Sequence, residues 1–300
     1  MSTALAPIPQ TRLITLPRHS PLVWWHLLSL DAPTVAVVWS WSFARAFDIP
    51  LPWFALITLG LGTWCVYVAD RLLDGWHTRP DRTLRERHLF YARHRRLFLT
   101  ALIGAALPLA YLILVRAASA VRIDDIVLAV LGLIYFLLIH IPASRSKFDS
   151  EAWIPKEMAV GILFAIAATV PVWSRLPAEE PWMLLSVALF AGVCWWNCVA
   201  IQIWEDRSET DTRQTEPMHA LTLWMGSKLQ IFAATLAVIS AGSAAIAPAS
   251  GMRILLASCS LSSLLFLLLS RYNRQLHCRT LRVVADMALL TPLLWIAVVR

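Results

Sequence analysis

The sequence has few charged residues and no long hydrophilic stretch. Only 15% of its 300 residues are charged, whereas about a quarter are charged in a typical soluble domain. It has only ten glycines and lacks a phosphate-binding glycine loop, a nucleophile elbow or a nucleic-acid-binding motif. Its five cysteines are scattered and show no metal-ligand spacing, which is typical of small apolar packing residues. These absences argue against a soluble domain and against the common soluble enzyme classes.

Apolar residues are abundant instead and occur in long stretches. Hydrophobic residues make up 58% of the chain, and the mean hydropathy is +0.63. A helix needs roughly 17–25 apolar residues to cross a bilayer. The sequence predicts an all-α polytopic membrane protein with nine transmembrane helices, at 32–48, 53–73, 97–117, 124–142, 157–174, 181–203, 229–247, 252–270 and 282–299.

The first 31 residues are predicted to form a cytoplasmic and interfacial segment ahead of a nine-helix domain at 32–300. Arg12, Arg18 and several prolines are untypical of a cleavable signal peptide. Residues 18–30 are expected to form a helix that lies on the membrane surface. Asp31 is expected to cap the first span, with Pro33 in its first turn.

The distribution of basic residues predicts the orientation. With nine spans and a cytoplasmic N-terminus, 20 of the 26 lysines and arginines fall in cytoplasmic segments. This asymmetry predicts an N-in, C-out topology. It places the polar connections on the cytoplasmic side of a membrane that we expect to be the bacterial inner membrane. The net charge of +7 then suits anionic lipid headgroups, and no nucleic acid partner is expected.

The first acidic motif ends the second predicted span. Asp70 and Asp74 are four residues apart, so a helix places them on one face, one turn from each other. Two like charges in this arrangement repel, and a divalent cation would relieve the repulsion. Mg²⁺ prefers carboxylate oxygens and also binds substrate phosphates. The alternative is a solvated helix end, where Arg71 and its neighbours neutralise both acids.

The second acidic motif ends the sixth predicted span. Asn197, Glu205 and Glu209 fall on one helical stripe, with Gln202 and Asp206 beside it. Polar groups at membrane depth usually face a cavity or a partner. Glu205, Asp206 and Glu209 are therefore candidate metal ligands, and Asn197 and Gln202 are candidate substrate-binding residues. A polar loop that begins at Trp204 would explain Glu209 but not Asn197.

Several cations lie close to these acids in the sequence. Arginine suits phosphate because its planar guanidinium group donates two parallel hydrogen bonds. Arg71 and Arg79 are candidate catalytic residues, and Arg82 is a candidate substrate-binding residue. Lys156, which opens the fifth predicted span, is a third candidate catalytic residue unless it extends to the lipid headgroups. The arginines have a competing interpretation, since they also enforce the topology.

One more acid lies inside the ninth predicted span. Asp286 follows Arg282 by four residues, and residues at this spacing are neighbours on a helix surface. We expect the two to form a local ion pair with a structural role.

Together these motifs resemble the UbiA superfamily of intramembrane prenyltransferases. That family has nine helices, N-in and C-out, with aspartate-rich motifs at the cytoplasmic ends of helices two and six. Asp70-Arg71-Leu72-Leu73-Asp74 resembles the end of its first motif, and Gln202-Ile203-Trp204-Glu205-Asp206-Arg207 resembles its second. The chain departs from the family pattern at Val66, Tyr67 and Gln202, where the family has Asn, often Asp, and Asp.

The resemblance implies Mg²⁺-dependent transfer of a polyprenyl group from its diphosphate to a lipophilic, often aromatic, acceptor. Arg71, Arg79 and Lys156 would stabilise the leaving diphosphate, and Arg207 would help to bind it. Two alternatives remain open at this point. One is a family member that binds an isoprenoid or a lipid phosphate without transfer, and the other is a membrane transporter. The oligomeric state is not predicted.

Overall fold

The computed structural model describes residues 15–17, 20–76, 86–117, 154–177, 180–209 and 218–296, with isolated residues between 122 and 134. The described chain is helical, as predicted. Its main helices are α1 (Pro21–Leu27), α2 (Asp31–Ala46), α3 (Trp53–Trp76), α4 (Glu86–Arg93), α5 (Arg95–Tyr111, continued by a π-helix at Leu112–Arg116), α6 (Lys156–Trp173), α7 (Pro181–Glu209), α8 (Ala220–Ser227), α9 (Leu229–Ile246), α10 (Ser250–Tyr272), α11 (Cys278–Ala288) and α12 (Leu293–Ile296).

Six helical segments are long and apolar enough to cross a membrane, and α1 with α2 forms a seventh candidate that is bent by 91°. The six correspond to the second, third, fifth, sixth, seventh and eighth predicted spans. Large apolar side chains such as Leu107, Val238 and Ile246 are exposed on their surface. An apolar exterior of this kind is typical of a membrane protein.

The first predicted span begins one residue earlier than expected. Leu30 occupies the N-cap position, and Asp31 is the first helical residue. The Asp31 carboxylate accepts a hydrogen bond from the Ala32 amide at 3.0 Å, while Pro33 lies in the first turn as predicted. Pro21 opens α1, where Ser20 caps the Val23 amide. A bend of 91° separates α1 from α2, and the location of α1 on the membrane surface stays a prediction.

The ninth predicted span is interrupted. The expectation of one helix over 282–299 is wrong, because α11 ends at Ala288 and a turn separates it from α12. Proline causes the break, since Pro292 has no amide hydrogen and its ring would clash with the carbonyl of Ala288. The Leu289 carbonyl, in the turn after α11, accepts a hydrogen bond from the Trp39 indole at 2.7 Å. The fourth predicted span, 124–142, lies almost wholly outside the described residues.

The centre of the bundle is formed by α2, α7 and α10 and is rich in aromatic residues. Trp39 stacks on Phe190 with ring centroids 4.1 Å apart, and Trp196 stacks on Phe266 at 4.3 Å. All four side chains are fully buried. Close helix packing supports this core where α6 crosses α7, because a Cβ on Gly161 would lie 2.6 Å from the Trp195 nitrogen. Only glycine fits at that crossing.

Candidate functional site

A set of seven polar side chains meets at one end of the bundle, and we call it the polar cluster. It joins the helices that carry the two acidic motifs to the N-terminal helix and to α11. Each member is buried or mostly buried. The polar cluster consists of His26, Asp31, Arg71, Asn197, Glu205, Arg282 and Asp286.

The bend between α1 and α2 brings His26 back onto Asp31. Ser29, at the bend, has a positive φ of 56°, which non-glycine residues adopt at some cost. Its hydroxyl is hydrogen-bonded to that of Tyr91 on α4 at 2.6 Å. The Trp64 indole of α3 donates to the Leu28 carbonyl at 3.1 Å. Partners on α3 and α4 therefore hold the bend in place.

With the bend held, His26 Nδ1 lies 2.6 Å from Asp31 Oδ2, both inside the protein. Tyr91 itself is buried against Phe98, with ring centroids 4.0 Å apart. Burial raises the pKa of the Tyr91 hydroxyl, so this group stays protonated at neutral pH. The helix α4 thus covers the polar cluster from one side.

Arg71 connects α3 to the same place. Its guanidinium group donates to the His26 backbone carbonyl at 2.9 Å and lies 3.8 Å from Asp31 Oδ2. The Cζ atom of this guanidinium group lies 5.8 Å from the centre of the Tyr91 ring. Arg71 is only 3% exposed, so its positive charge is matched inside the protein rather than by water.

Two residues of α7 reach α11. The Asn197 amide nitrogen donates to Asp286 Oδ1 at 3.2 Å, and the Arg282 guanidinium donates to Glu205. The prediction that Asn197 and Glu205 share one helical stripe is therefore confirmed. The predicted local pair of Arg282 and Asp286 is wrong, because Glu205 is the ion-pair partner of Arg282. Both side chains face α7, where each has a partner distant in sequence.

The polar cluster contains more negative than positive charge. Three carboxylates, on Asp31, Glu205 and Asp286, face two guanidinium groups, on Arg71 and Arg282. Glu205 pairs with Arg282, and Asp31 lies next to Arg71. Within the described chain, Asp286 forms no ion pair with an arginine or lysine, and its nearest basic group is His26 at 3.9 Å. Arg282 and Arg71 act on Asp286 only from beyond ion-pair distance.

Other predicted site residues lie on α3, α6 and α7. Asp70 precedes Arg71 and is partly buried near the end of α3, and Gln202 and Asp206 are partly buried on α7. Lys156 is the first residue of α6, as predicted, with Pro155 before it. Its neighbour Glu157 is buried and accepts a hydrogen bond from Thr222 of α8 at 2.8 Å.

The other predicted residues lie outside what the structure describes. Arg79 and Arg82 fall in the segment 77–85, which is not among the described residues. Asp74 lies on α3, and Arg207 and Glu209 lie on α7, but their side chains are likewise outside the description. Their assigned roles stay predictions.

The predicted Mg²⁺ ligands are carboxylates, which are the donors that this hard cation prefers. Asp70 is partly buried, and the helical backbone carries Asp74 one turn further along α3. Asp206 is partly buried on α7, whose Glu205 extends into the same polar cluster as Arg71. Carboxylate oxygens are the donor type that Mg²⁺ prefers, and the role of Asp70, Asp74 and Asp206 as its ligands stays a prediction. Glu205 would have to exchange its ion pair with Arg282 to bind a metal.

Sequence reasoning missed the contribution of the N-terminal helix and of α11. It treated Asp31 only as a cap and Asp286 only as a local partner, and it gave His26 no role beyond its place in the interfacial segment at 18–30. The available signal was that Asp31 and Asp286 are acids at the margins of apolar stretches, where an ionisable group usually has a specific partner. Their common location depends on contacts between residues that are more than 200 positions apart.

Comparisons with known proteins give no relative: no protein-family model, no curated protein and no solved structure matches this chain.

Proposed function

We propose that this membrane protein transfers a polyprenyl group from its diphosphate to a lipophilic acceptor and depends on Mg²⁺. The observation that carries the proposal is that the ends of α3 and α7 meet in one polar cluster. Arg71 enters it from α3, and Asn197 and Glu205 enter it from α7. The two helices that carry the acidic motifs are far apart in sequence but meet at one end of an apolar bundle. The resemblance to the UbiA superfamily requires such an arrangement.

Charge supports a diphosphate as the substrate group. A metal held by Asp70, Asp74 and Asp206 would neutralise part of the diphosphate charge when bound. Arg79, Arg82 and Arg207 follow the two motifs in sequence and supply guanidinium groups that suit phosphate oxygens. Lys156 begins α6, whose second residue Glu157 is fixed through Thr222. This would place an ammonium group beside the leaving diphosphate.

The transfer step conserves atoms and charge. The bond between the allylic carbon and the diphosphate oxygen breaks, and the electron pair leaves with the diphosphate. A nucleophilic atom of the acceptor forms the new bond to that carbon and loses a proton. The apolar helices would hold the isoprenoid tail and exclude the water that would otherwise capture the allylic cation.

Arg71 is assigned a positioning role within this proposal. Its guanidinium is occupied by the His26 carbonyl and by Asp31, and it is almost completely buried. It therefore fastens the bend between α1 and α2 to the end of α3. In this proposal the neighbouring Asp70 and Asp74 bind the metal and, through it, the diphosphate.

A second candidate is a protein that binds an isoprenoid diphosphate or lipid phosphate without transfer. The engagement of Glu205 by Arg282 favours it, because this removes one acid from the second motif. The first motif also departs from the family pattern, because Val66, which is 46% exposed, stands where the UbiA superfamily has Asn. This candidate predicts Mg²⁺-dependent binding of a polyprenyl diphosphate without release of diphosphate. A transporter has less support, since no internal repeat is evident in the sequence.

The test uses full-length protein in lipid nanodiscs with geranylgeranyl diphosphate, Mg²⁺ and a panel of aromatic acceptors. Asp70→Asn and Asp74→Asn should each lower donor consumption by on the order of 10²-fold or more, because they remove charge that stabilises the transition state. Asp48→Asn is the matched control, since Asp48 follows α2 at the opposite end of the bundle. If the wild-type protein neither binds nor consumes the donor with Mg²⁺, the proposal fails. Binding without consumption selects the second candidate.

A further inference from the structure

Asp286, Asp31 and His26 form a compact group of metal-type ligands that the proposed function does not use. One ligand atom from each lies within 4.8 Å of the others. They come from α1, α2 and α11, so no single helix accounts for their proximity. His26 and Asp31 are buried, and the Asp286 side chain is 13% exposed. Such groups are stable inside a protein only when they are paired, protonated or bound to a metal.

The local charge balance leaves room for a cation. Arg282 is already bound to Glu205, and Arg71 divides its donors between the His26 carbonyl and Asp31. Within the described chain, Asp286 accepts a hydrogen bond from the Asn197 amide and lies 3.9 Å from the His26 ring, while Arg282 and Arg71 act on its charge from beyond ion-pair distance. A bound cation would neutralise this remaining negative charge.

An independent observation comes from Asn197. Its amide nitrogen donates to Asp286, while its Oδ1 atom is buried and has no hydrogen-bond partner. The residue is only 8% exposed, so water does not readily satisfy that oxygen. Both atoms belong to one amide group, so the unpartnered oxygen is carried by the same group that contacts Asp286. An amide oxygen is a suitable metal ligand, and rotating the amide by half a turn would direct it at the Asp286 carboxylate.

The distances are compatible with a shared ion. His26 Nδ1 is 3.9 Å from Asp286 Oδ2, too far for a hydrogen bond. Ligands on one tetrahedral ion are separated by roughly 3.3 Å when each bond is about 2.0–2.1 Å long. His26 and Asp31 are closer, at 2.6 Å, because they share a hydrogen bond. Metal binding would replace that bond with two bonds to the ion.

We propose that His26, Asp31 and Asp286, with Asn197 as an oxygen ligand, form a binding site for a divalent transition metal such as Zn²⁺ or Mn²⁺. The mixture of one imidazole nitrogen with carboxylate and amide oxygens selects this class over Mg²⁺, which prefers an all-oxygen set. This site is separate from the carboxylates of Asp70, Asp74 and Asp206. It does not depend on prenyl transfer. By joining α1, α2 and α11, the ion would fasten the N-terminal helix to the bundle.

The test measures metal content directly. Chelator-washed protein in nanodiscs is dialysed against Zn²⁺ or Mn²⁺ with Mg²⁺ in excess, and metal per chain is determined by mass spectrometry. The variants are Asp286→Asn and His26→Gln. The matched controls are Asp48→Asn at the opposite end of the bundle and His94→Gln, whose ring contacts the Phe90 carbonyl instead. The wild-type protein and both controls should bind about one ion per chain, as expected for a single site.

Each site variant should lower the affinity at least 10-fold, which is typical for disturbing a metal site. The ion should also raise the melting temperature of the wild-type protein but not that of Asp286→Asn. If Asp286→Asn does not fold, His26→Gln decides, since glutamine keeps a hydrogen-bonding group beside Asp31. The proposal is overturned if the wild-type protein binds no metal, or if the wild-type protein, the site variants and the controls all bind it equally. Failure of prenyl transfer alone would leave this result unchanged.

Discussion

The aromatic centre of the bundle and the polar cluster at its end are both buried, but different forces hold them together. Around Trp39 and Phe190 the contacts are ring stacks, and the Trp39 indole donates to the Leu289 carbonyl. In the polar cluster the contacts are ion pairs and hydrogen bonds, with one excess carboxylate on Asp286. The centre is arranged for stability. The polar cluster retains charge that stability alone does not require, and this is typical of a functional site.

The largest expected effect comes from the aromatic centre. Trp39→Ala should lower the free energy of unfolding by about 3–5 kcal/mol, because it removes a fully buried ring and leaves a cavity. Trp53→Ala is the control, since Trp53 is 67% exposed and its loss should cost under about 0.5 kcal/mol. Denaturant titration in detergent micelles measures both. Equal losses would show that the stacked rings do not form the core.

Breaking the ion pair between Glu205 of α7 and Arg282 of α11 should lower the free energy of unfolding somewhat less than Trp39→Ala does. Arg282→Met removes the guanidinium group that donates to the mostly buried Glu205, and about 3 kcal/mol of stability should be lost. The double variant Arg282→Met with Glu205→Met should recover most of this loss, because it removes both charges. Chemical unfolding of the wild-type protein, Arg282→Met and the double variant measures the loss of stability and its recovery. A double variant as unstable as the single one would mean that the pair is not what Arg282 contributes.

Helix packing gives a prediction of intermediate size. Gly161→Ala would push α6 away from the backbone of α7, where the new Cβ would lie 2.6 Å from the Trp195 nitrogen. We expect a loss of roughly 1–3 kcal/mol, as for overpacking elsewhere. Gly104→Ala has no atom within 4 Å of its new Cβ and should instead stabilise α5 by roughly 0.5–1 kcal/mol. Melting temperatures that move in the same direction would contradict the packing of α6 on α7.

The smallest expected effect lies at the rim of the polar cluster. Tyr91→Phe removes the hydrogen bond to Ser29 but keeps the ring, so stability should fall by about 1 kcal/mol. Hydrogen exchange should rise at residues 26–31, because the bend loses one of its supports. Tyr111→Phe is the control at an exposed tyrosine, and it should leave exchange unchanged. Unchanged exchange in Tyr91→Phe would show that other contacts hold the bend.

Hydropathy predicted most of the helices because the length and apolar character of a span are local properties of the chain. Helical periodicity likewise placed Asn197 and Glu205 on one stripe. It did not identify their partners, since Asp286 and Arg282 lie more than 70 residues away and seemed from spacing alone to pair with each other. The break at Pro292 was also missed. A proline within an apolar run is tolerated when neighbouring side chains satisfy the freed carbonyls, and only the fold shows that Trp39 does so.

The central claim is that the polar end of the bundle binds the diphosphate of a polyprenyl donor. A photoreactive polyprenyl diphosphate, with the reactive group close to its phosphates, tests this most directly when cross-linked in nanodiscs with Mg²⁺ and mapped by peptide mass spectrometry. Labels should fall near the ends of α3 and α7, at 70–76 and 205–209, and should disappear with chelator. Labels at the opposite end, at 46–52 or 247–251, or labelling that ignores Mg²⁺, would contradict the account.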